Sequence, residues 1–386
     1  MALNIIIEIL IVLSVSIIMG ELFEQLRFPS VVGYLIAGLI IGPFIFNFIQ
    51  NNAELQALSS LSLFFIIFLL GIEMKTESVI KYLKPSIKMS ITSFILPLLL
   101  SILLSVVLLH FGLRQDFIVS LAIAVPSISI VSVLVMRYKL ARDPKGITII
   151  GSVVITDVIA FLLLGITYES ALNAILVVVY FVIFLLIFLN VDKILNKGSK
   201  KLRRRLTKSR KILKSEHFGY AMIIIIGLLI GGISQLIGIN YIIGVFFAGL
   251  IIHEGLIGRT LFRKVRKTIK RMNDGFFIPL FFSIAGIDVS SFHSLESFLP
   301  AIILIAIVII AFSIVLNYFS SGKVMKIKKK QWKIKTSAII NGRGAVGIAI
   351  ATVAFEIGVI TDSAYSIVIL ATIIISIIAT SLLRNT

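Results

Sequence analysis

Gly33-Tyr-Leu-Ile-Ala-Gly-Leu-Ile-Ile41 returns later in the chain as Gly244-Val-Phe-Phe-Ala-Gly-Leu-Ile-Ile252, 211 residues on. Phe64-Phe65-Ile66 returns as Phe276-Phe277-Ile278 at an offset of 212, and Gly71-Ile72-Glu73 is echoed by Gly286-Ile287-Asp288. One match between apolar stretches means little, but ordered matches at nearly one offset mark an internal repeat. The repeated stretches all lie in long apolar runs, so the repeating unit is a set of hydrophobic segments.

Those runs are long enough to cross about 30 Å of hydrocarbon. About 13 spans follow, at 3–20, 29–49, 57–74, 87–111, 117–136, 146–167, 171–190, 218–237, 239–256, 275–289, 298–319, 336–357 and 363–383. Of the 386 residues 59% are hydrophobic and only 14% charged, against about a quarter charged in soluble domains. The net charge of +19 admits a nucleic-acid binder, a membrane-surface binder or an integral membrane protein with lopsided loops. A nucleic-acid partner is excluded, because most of the chain offers no solvated basic face. The chain has no Cys, which excludes thiol chemistry and cysteine metal sites, and its four His lack ligand spacing. No basic residue precedes Arg27, so the first run reads as a span and not as a cleaved signal.

The basic residues record the topology. Gaps after odd-numbered spans hold 35 of the 37 Lys and Arg, including the 193–214, 259–271 and 323–335 segments. Gaps after even-numbered spans hold Arg114 alone, and Arg343 lies inside a span. The positive-inside rule then places the N-terminus outside and the C-terminus in the cytoplasm, in the cell membrane. Residues 1–167 form a first repeat of spans 1–6, 168–217 a joint of span 7 and a basic loop, and 218–386 a second repeat of spans 8–13. Seven spans separate equivalent segments, an odd number, so the halves are inverted, as in many secondary transporters.

In such folds the site lies where discontinuous helices of the two halves meet. Span 5 holds Pro126-Ser-Ile-Ser129, and Pro removes a helical hydrogen bond. The matching place in span 12 is Asn341-Gly-Arg-Gly344, a glycine-rich break. Asp157 stands in the middle of span 6, where a carboxylate is costly and normally serves to bind something. Desolvation disfavours its charged form, so a proton and a small hard cation can compete for it. Thr156, Ser127, Ser129 and freed carbonyls of span 5 could complete the ligation; for the two serines, ordinary helix packing is an equal reading. Arg343 is either a clamp on the broken span 12 or a substrate contact. Gly342-Arg-Gly-Ala-Val-Gly347 matches a dinucleotide fingerprint in form only, since no strand precedes it. Glu73, at the end of span 3 beside Lys75, is an interfacial charge, a gate residue or a partner for Arg343. The basic 193–214 linker and the amphipathic 259–271 segment should favour anionic lipid, and Trp332 among lysines fits an interfacial position.

The segments Arg27-Phe-Pro-Ser-Val-Val-Gly-Tyr-Leu-Ile-Ala-Gly, Phe68-Leu-Leu-Gly-Ile-Glu73, Phe276-Phe-Ile-Pro-Leu-Phe-Phe and Arg343-Gly-Ala-Val, in this order, resemble the cation:proton antiporter superfamily. The resemblance is to its prokaryotic Na⁺/H⁺ (NapA-type) and K⁺/H⁺ (Kef-type) branch. It implies an all-α polytopic fold with crossed discontinuous helices and a homodimer. Spans 1–3 and 8–10 would form the dimer bundle, and spans 4–6 and 11–13 a core that moves like an elevator. It also implies that Asp157 is the ion-binding carboxylate. Three positions depart from the pattern: Thr156 before that Asp, Ser313 where many relatives carry Lys or Arg, and Ala345 after Arg-Gly. Since the sequence stops at Thr386, the nucleotide-binding domain of Kef-type systems is not expected.

The expected function is therefore antiport, not enzymatic catalysis: Na⁺/H⁺ exchange with K⁺/H⁺ as the alternative. It needs no cofactor, Na⁺ at Asp157 being substrate. One core carboxylate and no lysine switch predict electroneutral exchange. A cation channel and an organic-anion carrier of related fold are less favoured; the latter would want more mid-span Asn and Gln.

Overall fold

A computed structural model describes residues 5–73, 82–140, 143–168, 179, 182, 216–236, 241–252 and 259–384. Every regular element among them is helical. In chain order these are α1 (Ile5–Gln25), α2 (Ser30–Ile41), α3 (Ala53–Glu73), α4 (Leu83–Ser90), α5 (Leu96–Leu108), α6 (Leu113–Ala124), α7 (Ile128–Arg137) and α8 (Pro144–Tyr168). After them come α9 (Glu216–Leu236), α10 (Tyr241–Ile251), α11 (Arg259–Met272), α12 (Ile278–Ile287), α13 (Phe292–Leu295), α14 (Leu299–Val324), α15 (Lys330–Ile340), α16 (Ala345–Glu356) and α17 (Asp362–Arg384). Eight helical stretches among the described residues are long and apolar enough to cross a membrane, and α2 and α10 are shorter apolar helices. The seventh span and the 193–214 loop lie outside the described residues, apart from residues 179 and 182 of the span.

Two long helices contain a π-turn that their composition does not announce. Ile91–Ile95 joins α4 to α5, and Asn273–Phe277 joins α11 to α12. A π-turn puts one extra residue in the ladder and frees backbone carbonyls, often at functional sites. The amphipathic segment expected over 259–271 is thus continuous with the tenth span. Its Phe262, Val265 and Ile269 are buried in the protein, while Arg263, Lys264, Lys267, Lys270 and Arg271 are exposed.

The chain divides into two compact units, Met1–Leu61 with Glu77–Leu164 and Ile278–Thr386, and Ser62–Thr76 with Gly165–Phe277. In the first, α2 packs on α12 at glycine. A Cβ on Gly38 would stand 2.8 Å from the Cα of Gly286, and one on Gly286 would stand 2.9 Å from the Cα of Gly38. Beside this crossing, Val12, Ile41, Ile49, Leu55, Leu280, Ile284 and Ile287 form a buried apolar cluster. In the second unit, α3 packs on α10 in the same way: the corresponding separations are 2.8 Å and 2.9 Å for Gly71 and Gly249. Gly38 and Gly249 hold the same place in the two copies of the nine-residue repeat, 33–41 and 244–252. Gly71 and Gly286 hold the same place in the two copies of Gly-Ile-acid. The backbones approach this closely only because no Cβ intervenes. Each crossing joins a segment of one copy to a segment of the other, so the contact recurs along with the sequence.

Candidate functional site

Two helices are interrupted where the sequence is. α6 stops at Ala124 because Pro126 offers no N–H and biases Val125 to extended backbone (φ −71°, ψ 125°). α15 stops at Ile340, and α16 starts at Ala345 after Asn341-Gly-Arg-Gly344. Helix ends leave unpaired N–H and C=O groups, which are costly away from water. Here the two interruptions satisfy each other. Ser127 N–H donates to the Gly342 carbonyl at 2.7 Å, and Ala345 N–H donates to Ser127 Oγ at 3.1 Å. Glycine at 342 is needed for this approach, since a Cβ there would stand 2.7 Å from Ile130 Cγ2. Ser127 is fully buried. Ser129 belongs to α7, but its side chain lies outside the described residues.

Asp157 is on α8 with an exposure of 0%, and neither carboxylate oxygen has a hydrogen-bond partner among the described residues. Thr156, equally buried, donates its hydroxyl to Val153 O at 2.7 Å. That bond uses the only proton of the hydroxyl and leaves lone pairs free to accept. α8 is held against α4 by small polar residues: Ser86 Oγ donates to Thr148 O (3.3 Å) and Ser90 Oγ to Ser152 O (3.1 Å). Both bonds join residues 62 apart, so the two helices run parallel. The same register brings the π-turn Ile91–Ile95 level with the stretch around Thr156 and Asp157.

Ser93, in that turn, connects to the second interruption. Its carbonyl accepts Arg343 Nη2 at 3.4 Å, and Asn341 Oδ1 accepts the same nitrogen at 3.4 Å. Arg343 is 1% exposed, and its Nε and Nη1 have no hydrogen-bond partner among the described residues. Its own carbonyl accepts Ser376 Oγ at 2.8 Å. Asn341 also donates Nδ2 to Ser337 O (2.7 Å) and accepts from Ser313 Oγ. The chain of bonds continues: Asn317 Nδ2 donates to Ser313 Oγ (3.2 Å), and Thr92 Oγ1 donates to Asn317 Oδ1 (3.0 Å). Ser313 therefore stands in a polar network that reaches the Arg343 guanidinium through Asn341 Oδ1.

Glu73 is elsewhere, at the end of α3. Its Oε1 pairs with Arg266 of α11 at 3.2 Å, and both side chains are partly exposed. The structure thus joins Ser127 to the Gly342–Ala345 stretch, ties Arg343 to Asn341 and the π-turn, and gives Glu73 a different partner. Ser93, Thr92 and Asn317 are additions to the residues singled out in sequence. For Asn317 the one signal is its four-residue spacing from Ser313, which puts both on one face of α14; Ser93 and Thr92 carry none. No group of three or more His, Asp or Glu able to hold a metal ion occurs among the described residues.

The statistical description of a protein family, "Sodium/hydrogen exchanger, transmembrane", matches residues 9–386. A Methanocaldococcus jannaschii protein described as probable Na⁺/H⁺ antiporter 3 is 24% identical over 93% of this chain and 94% of its own length. The Bacillus cereus Na⁺/H⁺-K⁺ antiporter GerN is 24% identical over 98% of this chain and 95% of its own length. Among solved structures, the sodium proton antiporter MjNhaP1 from Methanocaldococcus jannaschii superimposes with a TM-score of 0.67. The match covers 97% of this chain and 98% of that one at 18% identity, a likeness of fold.

Proposed function

Because the chain belongs to the sodium/hydrogen exchanger transmembrane family, we propose that it exchanges Na⁺ for H⁺ across a cell membrane, with Asp157 binding each in turn. The observation that carries this reading is the buried carboxylate of Asp157 with both oxygens unpartnered. A desolvated carboxylate without partners is strongly disfavoured, and either a proton or a small hard cation relieves it. Thr156, Ser127 and Ser129 are the hydroxyls placed in sequence to assist, and their oxygens suit a monovalent cation better than a soft metal.

In this reading the two repeats are inverted, the N-terminus is outside and the C-terminus is cytoplasmic. Spans 1–3 and 8–10 make the scaffold of a homodimer, and spans 4–6 and 11–13 carry the ion. Arg343 holds the interrupted span 12 through Asn341 and the Ser93 carbonyl. Since Ser313 is neutral, one carboxylate exchanges one charge for one, and exchange is electroneutral. K⁺/H⁺ exchange is the second reading, favoured by the similarity to GerN, whose name includes K⁺.

The test is a cation panel in proteoliposomes carrying a pH dye, with and without imposed membrane potential. Na⁺-driven proton movement that saturates is the expected result. Currents that need no proton gradient would mark a channel and overturn the reading.

A further inference from the structure

Five helix ends meet in one aromatic and basic cluster that the exchange reaction does not use. Tyr138, just past α7, donates its hydroxyl to Leu383 O at the end of α17 (3.1 Å). Lys335 of α15 has its Nζ 5.7 Å from the Tyr138 ring and 5.5 Å from the Trp332 ring. Lys145, at the start of α8, stands over the same Trp332 ring at 5.5 Å. Next along α15, Lys333 lies over Tyr318 of α14 at 5.2 Å. α7, α14 and α17 all end here, and α8 and α15 begin here, so the cluster marks one face of the membrane.

The charge is nearly uncompensated. Across 137–145 and 318–335 the sequence has one acid, Asp143, and its Oδ2 is 3.7 Å from Lys145 Nζ. Exposed Lys139, Lys323, Lys326, Lys328, Lys329 and Lys330 flank the rings in sequence. Contact with a ring face holds a lysine stem in place while the ammonium keeps N–H bonds for another acceptor. Lys145 and Lys335 each hold an ammonium group 5.5 Å from the Trp332 ring, so two positive charges flank one indole. Tryptophan and tyrosine prefer the headgroup level, and lysine there attracts anionic lipid.

We propose that Trp332, Lys145 and Lys335 form a site for the phosphodiester headgroup of an anionic membrane lipid. The proposal rests on the membrane topology of the preceding subsection, not on the ion exchanged. It differs from a diffuse attraction of the 193–214 and 259–271 segments, because three side chains from two helices converge on it. Its position also matters: α15 carries Trp332 at its start and is followed directly by Asn341. A bound headgroup therefore braces the rigid helix that leads into the interruption.

Trp332 is the only tryptophan in the chain, so its fluorescence reads the site directly. The purified protein is placed in bilayers containing brominated phosphatidylglycerol or brominated phosphatidylcholine. The expected result is saturable quenching by the anionic lipid at mole fractions where the zwitterionic lipid quenches only in proportion to its abundance. Lys145→Gln with Lys335→Gln should weaken the anionic preference by roughly 25-fold, about fivefold for each lysine near a charged surface. Arg263→Gln with Lys267→Gln on α11 should leave it unchanged. Unaltered elution and unaltered quenching by phosphatidylcholine show that the lysine variant is folded. Equal quenching by both lipids, or a preference that survives the lysine pair, would overturn the proposal. A preference erased by inorganic phosphate at matched ionic strength would assign the patch to a soluble anion instead. Because no transport is measured, this outcome is independent of whether Na⁺ exchange is found.

Discussion

Ser127 and Gly342 are joined by a backbone hydrogen bond of 2.7 Å, although 215 residues separate them, and the Ser127 hydroxyl returns the contact by accepting Ala345 N–H at 3.1 Å. Each interruption exposes backbone groups that its own helix cannot satisfy, and the other interruption is the partner. Ser127→Ala removes the acceptor and leaves the Ala345 N–H buried without one. The expected loss is about 1–3 kcal/mol of stability. Thermal unfolding in detergent reads it, and an unchanged midpoint would show that the hydroxyl contact carries no weight.

Asp157→Asn is the decisive substitution for the proposed exchange. The amide keeps nearly the same volume but cannot alternate between a proton and a cation, so Na⁺-driven proton movement should vanish while the protein remains folded. In the unaltered protein, acid and Na⁺ should compete. Lowering the pH raises the Na⁺ concentration needed for half-maximal exchange, by up to about tenfold per unit, the ceiling for one proton linked to one cation. Rates in proteoliposomes across a pH series check this. Exchange retained by Asp157→Asn would remove Asp157 from the mechanism.

The interruptions were legible because their causes are covalent: Pro126 has no N–H to give, and Gly342 and Gly344 bring no side chain to a crowded crossing. Asp157 was legible for the same kind of reason, as a mid-span carboxylate has few bland explanations. The π-turn at Ile91–Ile95 was not, because Ile-Thr-Ser-Phe-Ile suits an ordinary helix equally well. Nor were the partners of Arg343. One is the backbone carbonyl of Ser93, which every residue possesses, and the other, Asn341, is oriented by Ser313 and Ser337. Thr92 and Asn317 stayed hidden because a hydroxyl or amide in an apolar helix can bond to its own backbone as readily as to a neighbour. Glu73 showed its charge in the sequence, but Arg266 as its partner depends on how α11 folds back.

The polar network around Asn341 couples its members. Asn341 links Ser313, Arg343 and Ser337, and Asn317 holds Ser313 from the far side. Asn341→Ala and Asn317→Ala should therefore be non-additive, with a coupling of about 0.5–3 kcal/mol, as in other shared networks. A double-mutant cycle on thermal stability measures it. Simple additivity would mean that the two amides act independently.

The proposed exchange is electroneutral, because position 313 is a serine and brings no charge to move with the ion. Imposing a membrane potential on proteoliposomes with valinomycin and K⁺ gradients should leave the rate of Na⁺-driven proton movement unchanged in either direction. A rate that follows the sign of the potential would require a second transported charge.

Orientation can be read without disturbing the native chemistry, because the chain has no cysteine of its own. Arg114 is the one basic residue in the gaps after even-numbered spans, whereas Lys323 lies in the basic segment at the end of α14. If the basic segments face the cytoplasm, Arg114→Cys should react with a membrane-impermeant maleimide on intact cells, and Lys323→Cys should react only after permeabilisation. Both are surface substitutions with an expected stability change within about 0.5 kcal/mol, so both proteins should remain active. The reverse labelling pattern would invert the topology.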